Sequence, residues 1–161
     1  MAEESNATSP VHAQIKDNPY GTRVRSADIS ETLSFLDDWE SRYRFILDLG
    51  RDLPAMPTDL QTQARLLRGC QSQVWIEHAE IDGRLWFMVD ADAHIVRGLI
   101  AIVLAALNGR TPAELLQVDI DAYFGDLELL KHLSQTRGNG LRALVARMRG
   151  IATVAAAAAA E

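Results

Sequence analysis

One side chain in this sequence stands out for its chemistry: Cys70, the only cysteine in the chain. Free cysteines are most often small buried hydrophobes. This one lies in the stretch RGCQSQVWI, after a glycine and before a polar triplet, which predicts a loop at the entrance of a strand. Arg65 and Arg68 are near enough in sequence to favour the thiolate, which is the reactive form. We therefore expect an accessible and reactive thiol.

The absence of a second cysteine limits what such a thiol can do. It excludes a disulfide within the chain, a metal site built from several cysteines, and a redox switch with its own resolving thiol. A cysteine hydrolase needs a histidine base. His94 is the candidate because it begins a predicted helix, whereas His12, His78 and His132 fall in a tail, a strand and a surface helix. No hydrolase signature accompanies them, which leaves a thiol that receives a group from another protein and passes it on.

The bulk composition narrows the class of partner. A formal net charge of −6 argues against a nucleic-acid-binding protein, which normally presents a basic face. The first residues lack the basic start and apolar run of a secretory signal. The longest apolar run, Leu99 to Leu107, is about half of the roughly 20 residues that span a bilayer. We expect a soluble cytoplasmic protein with neither a nucleic acid nor a membrane as its partner.

The sequence divides into one domain with two tails. Residues 1–27 are polar and show little periodicity, so we expect a flexible N-terminal tail. Residues 28–152 carry the periodic apolar patterns and suit a single domain. Residues 153–161 are rich in alanine and form a C-terminal tail. Alanine is able to extend a helix, but this tail has no polar pattern of its own, so we expect it to fray.

Two strands are predicted directly after the cysteine. Residues 72–81 and 84–90 are rich in β-branched and aromatic side chains and flank Asp82-Gly83, a strong two-residue hairpin signal. We expect Trp75 and Trp86 to be packing residues of this hairpin. Whether a third strand joins the sheet is left open.

Helices are predicted on both sides of the hairpin. Residues 26–50 have apolar side chains at helical spacing, in one helix or two. The stretch at residues 90–109 turns helical, with Asp92 as its candidate N-cap and Gly109 as its candidate C-terminal stop. It is apolar on nearly every side, which predicts a central buried helix. Residues 111–114 form a capping box, and residues 134–140 are predicted to be a turn before a final amphipathic helix. The order indicates an α+β fold with helices covering a small antiparallel sheet.

Four blocks of the sequence resemble the SufE/CsdE family, the sulfur-acceptor partners of cysteine desulfurases in iron–sulfur cluster assembly. The most specific block is RGCQSQVWI around Cys70. WESRYRFILDLGRDLP precedes it, DADAHIVRGLIAIV follows the hairpin, and TRGNGLRALVARMR lies near the end. The resemblance covers about residues 29–150, which is nearly the whole body and neither tail.

This resemblance implies a specific role for Cys70. The thiol would accept a persulfide sulfur from a cysteine desulfurase of the SufS or CsdA type, stimulate that enzyme, and pass the sulfur to a downstream recipient or cluster scaffold. Pyridoxal phosphate would belong to the desulfurase, while this chain would need no cofactor or metal and would show no independent turnover. The implied fold is that of the IscU-type scaffolds. A single cysteine fits a carrier and not a scaffold.

The resemblance also points to residues around the thiol. Asp92 matches an aspartate that follows the family's hairpin, although we favour its simpler role as an N-cap. Arg137 matches a family arginine near the acceptor loop. It either stabilises the thiolate or persulfide anion, or binds the carbonyl groups at a helix C-terminus. The residues expected to shape the loop that carries the thiol are Gly69, Gln71, Ser72 and Gln73.

Two other classes of protein remain as alternatives. One is an interaction module without enzymatic activity, in which Cys70 is structural and inert. The other is a thiol hydrolase or peroxidase that turns over without a partner and depends on a histidine such as His94. The sulfur carrier is our leading hypothesis.

Overall fold

A computed structural model describes residues 14–160 and shows helices before and after one hairpin along the chain. Short 3-10 helices lie at Thr58–Leu60, Gln63–Arg65 and Leu130–His132. This order confirms the predicted α+β class. The helices and strands in chain order are α1 (Ser26–Ser34), α2 (Trp39–Arg51), β1 (Val74–Ile81), β2 (Arg84–Ala91), α3 (His94–Leu107), α4 (Pro112–Gln117), α5 (Ile120–Asp126) and α6 (Gln135–Ala160).

The hairpin forms where the sequence predicts it. β1 and β2 pair antiparallel, with Val74 opposite Ala91 and Ile81 opposite Arg84. Asp82 and Gly83 have φ angles of 54° and 77°, and two positive φ angles are what a tight two-residue hairpin turn requires. Across residues 14–160 the sheet has two strands, so a third strand is not found there.

The two faces of the hairpin pack against different parts of the molecule. Phe87 and Val89 face the main core, which includes the buried length of α3. Trp75 and Trp86 lie on the opposite face with Ile15, in a second apolar cluster. Their exposures of 8% and 9% confirm the predicted packing role of the two tryptophans.

Helix α3 is the central buried helix, as its composition predicts, and a glycine contact holds α2 against it. A Cβ atom on Gly98 would overlap the carbonyl oxygen of Ile46, and one on Gly50 would lie 2.8 Å from the backbone nitrogen of Gly98. The two backbones therefore touch where neither helix carries a side chain. This contact fixes the first turns of α3, which border the loop that carries Cys70.

The N-terminal segment differs from its prediction. Ile15 and Tyr20 are each only 1% exposed. The Tyr20 hydroxyl donates a hydrogen bond to the Leu49 carbonyl, and the Asn108 side chain donates to the Tyr20 carbonyl at 3.1 Å. A few large apolar side chains thus anchor a segment that is polar on average. The body of the molecule begins before residue 27, and residues 1–13 of the predicted tail lie outside the described residues.

The C-terminal helix is longer than predicted. α6 runs from Gln135 to Ala160, so the predicted turn at residues 134–140 is wrong and the alanine-rich stretch continues the helix. The hydroxyl of Ser134 accepts a hydrogen bond from the backbone N–H of Arg137 at 3.2 Å and satisfies a donor of the first turn. Gly138 and Gly140 suggest a turn in the sequence, yet both lie inside the helix, and Gly140 allows Cys70 to approach it closely.

Candidate functional site: a sheltered thiol against the first turns of α6

Cys70 lies on a short loop whose base is closed by β1. The backbone N–H of Leu67 donates to the Val74 carbonyl at 2.7 Å, which leaves residues 68–73 as the loop. Gly69 has a φ of +93°, in the left-handed region that only glycine adopts readily. The loop expected at the entrance of the strand is therefore present.

Asp92 closes the other end of the loop and is not an N-cap. Its Oδ1 accepts from the backbone N–H of Gln73 at 3.1 Å, and its own N–H donates to the Gln73 carbonyl at 3.2 Å. The N-cap position of α3 belongs to Ala93, which makes no side-chain capping bond. The N-cap prediction for Asp92 is wrong because its carboxylate is engaged by the loop.

The thiol itself is half-buried against α6. Its Sγ is 3.7 Å from the Gly140 carbonyl, a weak S–H···O hydrogen bond. A Cβ atom on Gly140 would lie 3.3 Å from Sγ, closer than nearly all real Cβ contacts. Gly140 is thus a site residue that the sequence analysis missed. The signal was the pair of glycines in TRGNG, which we took for a turn.

Cys70 opens onto a cavity of about 80 Å³. A water molecule needs roughly 10–15 Å³ by a comparable measure, so the cavity has room for an additional atom on Sγ. Its apolar wall comes from Leu67, Val74, Val96, Leu99, Ile100, Leu141 and Leu144. Its polar lining comes from Gln71, Ser72, Ser134, Thr136 and Arg137. A group attached to Sγ is therefore sheltered on one side by hydrocarbon and faced on the other by polar atoms.

The electrostatic surroundings of the thiol differ from the prediction. Burial raises the pKa of the Cys70 thiol above its ordinary value. Arg65 cannot favour the thiolate, because its Nε donates to the Glu77 carboxylate at 2.8 Å, and the Arg68 side chain is exposed. In this conformation the thiol is protonated at neutral pH.

Arg137 and Cys70 line the same cavity, so the structure brings these two predicted site residues together. Arg137 lies in the first turn of α6 and is exposed. No hydrogen bond joins its guanidinium to a carbonyl group within residues 14–160, which gives no support to the alternative at a helix C-terminus. Its role toward an anion on Sγ stays a prediction.

The histidines that the structure describes do not approach the thiol. His94 is the exposed first residue of α3, and His78 lies in β1. His132 stacks on Trp39 with ring centroids 4.1 Å apart. None of the three lines the cavity at Cys70, and His12 lies outside the described residues. The thiol–imidazole pair that a hydrolase needs is not formed within residues 14–160.

The fold and the site together define a class of protein. It is a small α+β domain that carries one thiol on the loop before a hairpin, and this loop packs against a long helix. Residues 27–152 match the family described as "SufE: Fe-S metabolism associated domain". Because this match covers well over half of the chain, the chain belongs to the SufE family. The resemblance noted from the sequence is confirmed.

Particular relatives and a solved structure agree with this assignment. An uncharacterised SufE-like protein of Rhizobium meliloti (strain 1021) is 44% identical over 125 residues, which cover 75% of this chain and 89% of the relative. The sulfur acceptor protein CsdE of Escherichia coli (strain K12) is 39% identical over 132 residues, covering 81% and 90%. The solution structure of a hypothetical protein from Thermus thermophilus superposes with a TM-score of 0.67 at 19% identity and covers 87% of this chain and 98% of its own. At that identity it supports the fold alone.

Proposed function

We propose that this protein is a sulfur acceptor and carrier in iron–sulfur cluster assembly, with Cys70 as the acceptor. The observation that carries the proposal is the position of Cys70, half-buried on its loop at a cavity of about 80 Å³, in a chain of the SufE family. The name of its relative CsdE, a sulfur acceptor protein, supports the same role.

The proposed reaction is an exchange at sulfur. The Cys70 thiolate attacks the outer sulfur of a persulfide on the desulfurase cysteine. One S–S bond breaks in the donor, one forms on Cys70, and the donor cysteine leaves as a thiolate, so there is no net oxidation or reduction. The rate of this exchange depends on the thiolate fraction of the attacking group, the pKa of the leaving group, and the access of the attacking sulfur to the persulfide.

The resting conformation protects the thiol and does not activate it. Burial and a raised pKa both oppose attack while Sγ faces the cavity. Transfer therefore requires residues 68–73 to move, so that Cys70 reaches the donor and regains its ordinary acidity. After transfer, the same cavity accepts the added sulfur, and we expect Arg137, which lines that cavity, to stabilise the persulfide anion. The apolar wall then limits the access of reductants to the persulfide.

The partners follow from this chemistry. The donor is a cysteine desulfurase of the SufS or CsdA type, whose own cofactor is pyridoxal phosphate. Removing sulfur from the donor cysteine frees that cysteine for another turnover, which is how the carrier stimulates the enzyme. The recipient is a cluster scaffold or another sulfur-accepting protein, and we place this exchange in the cytoplasm.

Intact-mass spectrometry tests the proposal. The protein is incubated with a SufS- or CsdA-type desulfurase and cysteine, without reductant, and then weighed. We expect the wild type to gain one sulfur atom, which a reductant removes, and Cys70→Ser to gain none while still co-eluting with the desulfurase. No gain on the wild type, in a mixture where the desulfurase is turning over, would rule out the acceptor role.

The alternative that a specific observation favours is an interaction module with a structural cysteine, because the raised pKa of Cys70 suits an inert thiol. That alternative predicts a complex with the desulfurase in which Cys70 stays unmodified and resists alkylation. The carrier predicts the opposite, namely faster alkylation of Cys70 once the desulfurase is added. The same mixture therefore distinguishes the two functions.

A further inference from the structure

A separate groove lies beside the base of the loop that carries Cys70. Its volume is about 230 Å³, and its lining residues are Ala64, Arg65, Ile76, Glu77, His78, Arg147 and Ile151. The hydrogen bond from Leu67 to Val74 closes the loop, and the groove is lined by residues just before and just after that pair. The groove shares no lining residue with the cavity at Cys70, so the proposed chemistry at sulfur does not account for it.

One cation in this groove lacks a partner among the described residues. Arg147 is exposed and forms no ion pair with a residue from 14 to 160, whereas Arg65 is held by the Glu77 carboxylate at 2.8 Å. Burial lowers the pKa of His78, and the opposing effects of Glu77 and Arg147 are smaller, so the imidazole is neutral at neutral pH. The groove therefore offers one uncompensated positive charge beside an imidazole that is able to donate a hydrogen bond.

The charge of this region is opposite to that of the whole chain. The formal net charge is −6, yet α6 contains four arginines and no acidic residue. Arg68 on the thiol loop and Arg137 at the thiol cavity are both exposed. Neither of them forms an ion pair with a residue from 14 to 160. Together with Arg147 they make a basic strip that runs from the thiol to the groove.

The groove and the thiol lie on the same side of α6. Gly140 contacts Cys70, and Arg147 follows seven residues later. Seven residues at about 100° each return to within about 20° of the same side, and at about 1.5 Å each they advance by about 10 Å. Between them, Ala143 would lie 3.4 Å from a Cβ atom on Gly69. A standard interface buries about 800 Å² on each partner, so a protein whose cysteine reaches Sγ also covers this groove.

We propose that this groove binds an acidic side chain of the cysteine desulfurase, on the surface that surrounds its donor cysteine. The inference rests on the proposed function, because the desulfurase is the partner that must reach Cys70. A carboxylate in the groove accepts hydrogen bonds from the Arg147 guanidinium and the His78 imidazole. The Arg65–Glu77 pair forms the opposite wall, so the bound partner lies against the base about which residues 68–73 move. The basic strip steers an acidic surface toward the thiol and raises the association rate.

The first test is a pair of matched charge reversals on α6. The Kd of the complex with a SufS- or CsdA-type desulfurase is measured by titration calorimetry. Arg147→Glu should raise this Kd about tenfold or more, because an attraction becomes a repulsion. Arg149→Glu makes the same change two residues further on, where about 200° of rotation places it on the other side of the helix, and should leave the Kd unchanged. Equal Kd values for the two variants would overturn the proposal.

Salt dependence separates a charge contact from a change of shape. The Kd of the wild type should rise with sodium chloride concentration, because screening weakens the attraction between exposed charges. The Kd of Arg147→Glu should rise much less, since its attractive contact is already lost. Parallel salt dependences for the two proteins would contradict the ion pair at Arg147. All variants should keep the wild-type circular dichroism.

A crosslink identifies the group that enters the groove. A benzophenone amino acid replaces Ala64, which is exposed and lines the groove, and is photo-crosslinked to the desulfurase. We expect the linked peptide of the desulfurase to contain an aspartate or glutamate. Reversing that residue to lysine should weaken binding to the wild type and restore binding to Arg147→Glu, which a purely structural role of Arg147 would not allow. A linked peptide without an acidic residue would count against the proposal.

Binding and sulfur transfer are measured separately, so the two proposals fail in different ways. A wild type that binds through Arg147 but gains no sulfur would refute the acceptor role and support the docking site. A wild type that gains sulfur, with a Kd indifferent to Arg147→Glu, would refute the docking site and support the acceptor role.

Discussion

At the scale of single residues, the neighbours of Cys70 determine how it behaves. Its Sγ makes one weak hydrogen bond, to the Gly140 carbonyl, and burial raises its pKa. Arg65, one of the two arginines that are close to it in sequence, is held by Glu77 at 2.8 Å. The resting thiol is therefore stored in its protonated form, and its reactivity depends on leaving this position.

The raised pKa of Cys70 predicts how alkylation depends on pH. A free thiol has a pKa of about 8.5, and we expect the midpoint of the iodoacetamide rate profile of the native protein to lie above that value. The native state favours the protonated thiol, so protonation of Cys70 contributes to the free energy of unfolding. This contribution is fully present below the unfolded pKa and is lost as the pH rises through the folded pKa. The same profile in concentrated urea should return to about 8.5. A native midpoint below that of the unfolded chain would contradict this account.

The hydrogen bond from Gln73 to Asp92 predicts how firmly the loop is held. Asp92→Ala removes the acceptor for the Gln73 N–H, and a net loss of about 0.5–1.5 kcal/mol should open the loop about two- to tenfold more often. The expected result is a similar increase in the alkylation rate of Cys70 at fixed pH. Asp92→Asn keeps an oxygen at the same position and should change the rate much less. Equal rates for the alanine variant and the wild type would show that this bond does not hold the loop.

At the scale of secondary-structure elements, glycines determine where a helix can be approached closely by another part of the chain. Gly98 in α3 lies against the Ile46 carbonyl of α2, and Gly140 in α6 lies against Cys70. Glycine lowers helix propensity by about 1 kcal/mol relative to alanine, so its presence inside these helices has a packing reason. Gly150 in α6 is different, because a Cβ there would meet nothing within 4 Å.

These glycines predict opposite effects of one substitution. Gly98→Ala should lower the free energy of unfolding by about 1–3 kcal/mol, because α2 must move away from α3. Gly150→Ala should raise it by about 0.5–1 kcal/mol through helix propensity alone. Urea unfolding followed by circular dichroism measures both. If Gly98→Ala stabilises the protein as much as Gly150→Ala does, α2 and α3 are not in backbone contact.

At the scale of the whole molecule, the N-terminal segment is joined to the core by a buried amide. Asn108 is 2% exposed. Its Oδ1 accepts from the Phe87 N–H at 2.8 Å, and its Nδ2 donates to the Tyr20 carbonyl at 3.1 Å. One side chain thus links β2, the end of α3 and the segment before α1. The segment from residue 14 onwards is part of the folded unit.

Two aromatic substitutions test this view of the N-terminal segment. Tyr20→Ala should lower the free energy of unfolding by about 3–5 kcal/mol, because it empties a fully buried site. Phe35→Ala removes a side chain that is 76% exposed and should change stability by at most about 0.5 kcal/mol. Chemical denaturation of the full chain gives both values. Two equally small changes would mean that the segment is a tail, as the sequence alone suggested.

The sequence by itself determined the elements whose signals are local. Asp82-Gly83 defined the hairpin because its two positive φ angles are a property of those residues. The apolar stretch between Asp92 and Gly109 predicted the buried helix, and the capping box at Thr111 is formed as expected. The lone cysteine and its neighbours in RGCQSQVWI pointed to a reactive thiol, and the family resemblance made that thiol the candidate acceptor.

Only the tertiary structure decided which groups meet across the chain. Asp92 binds Gln73 nineteen residues earlier, and Gly140 contacts Cys70 across seventy residues. Tyr20 is buried although its segment is polar on average. Local patterns report periodicity and backbone preference, whereas these contacts depend on how separate elements pack. For the same physical reason, the pKa of Cys70 departed from what its neighbouring arginines suggested: burial against α6 outweighed charges that were close only in sequence.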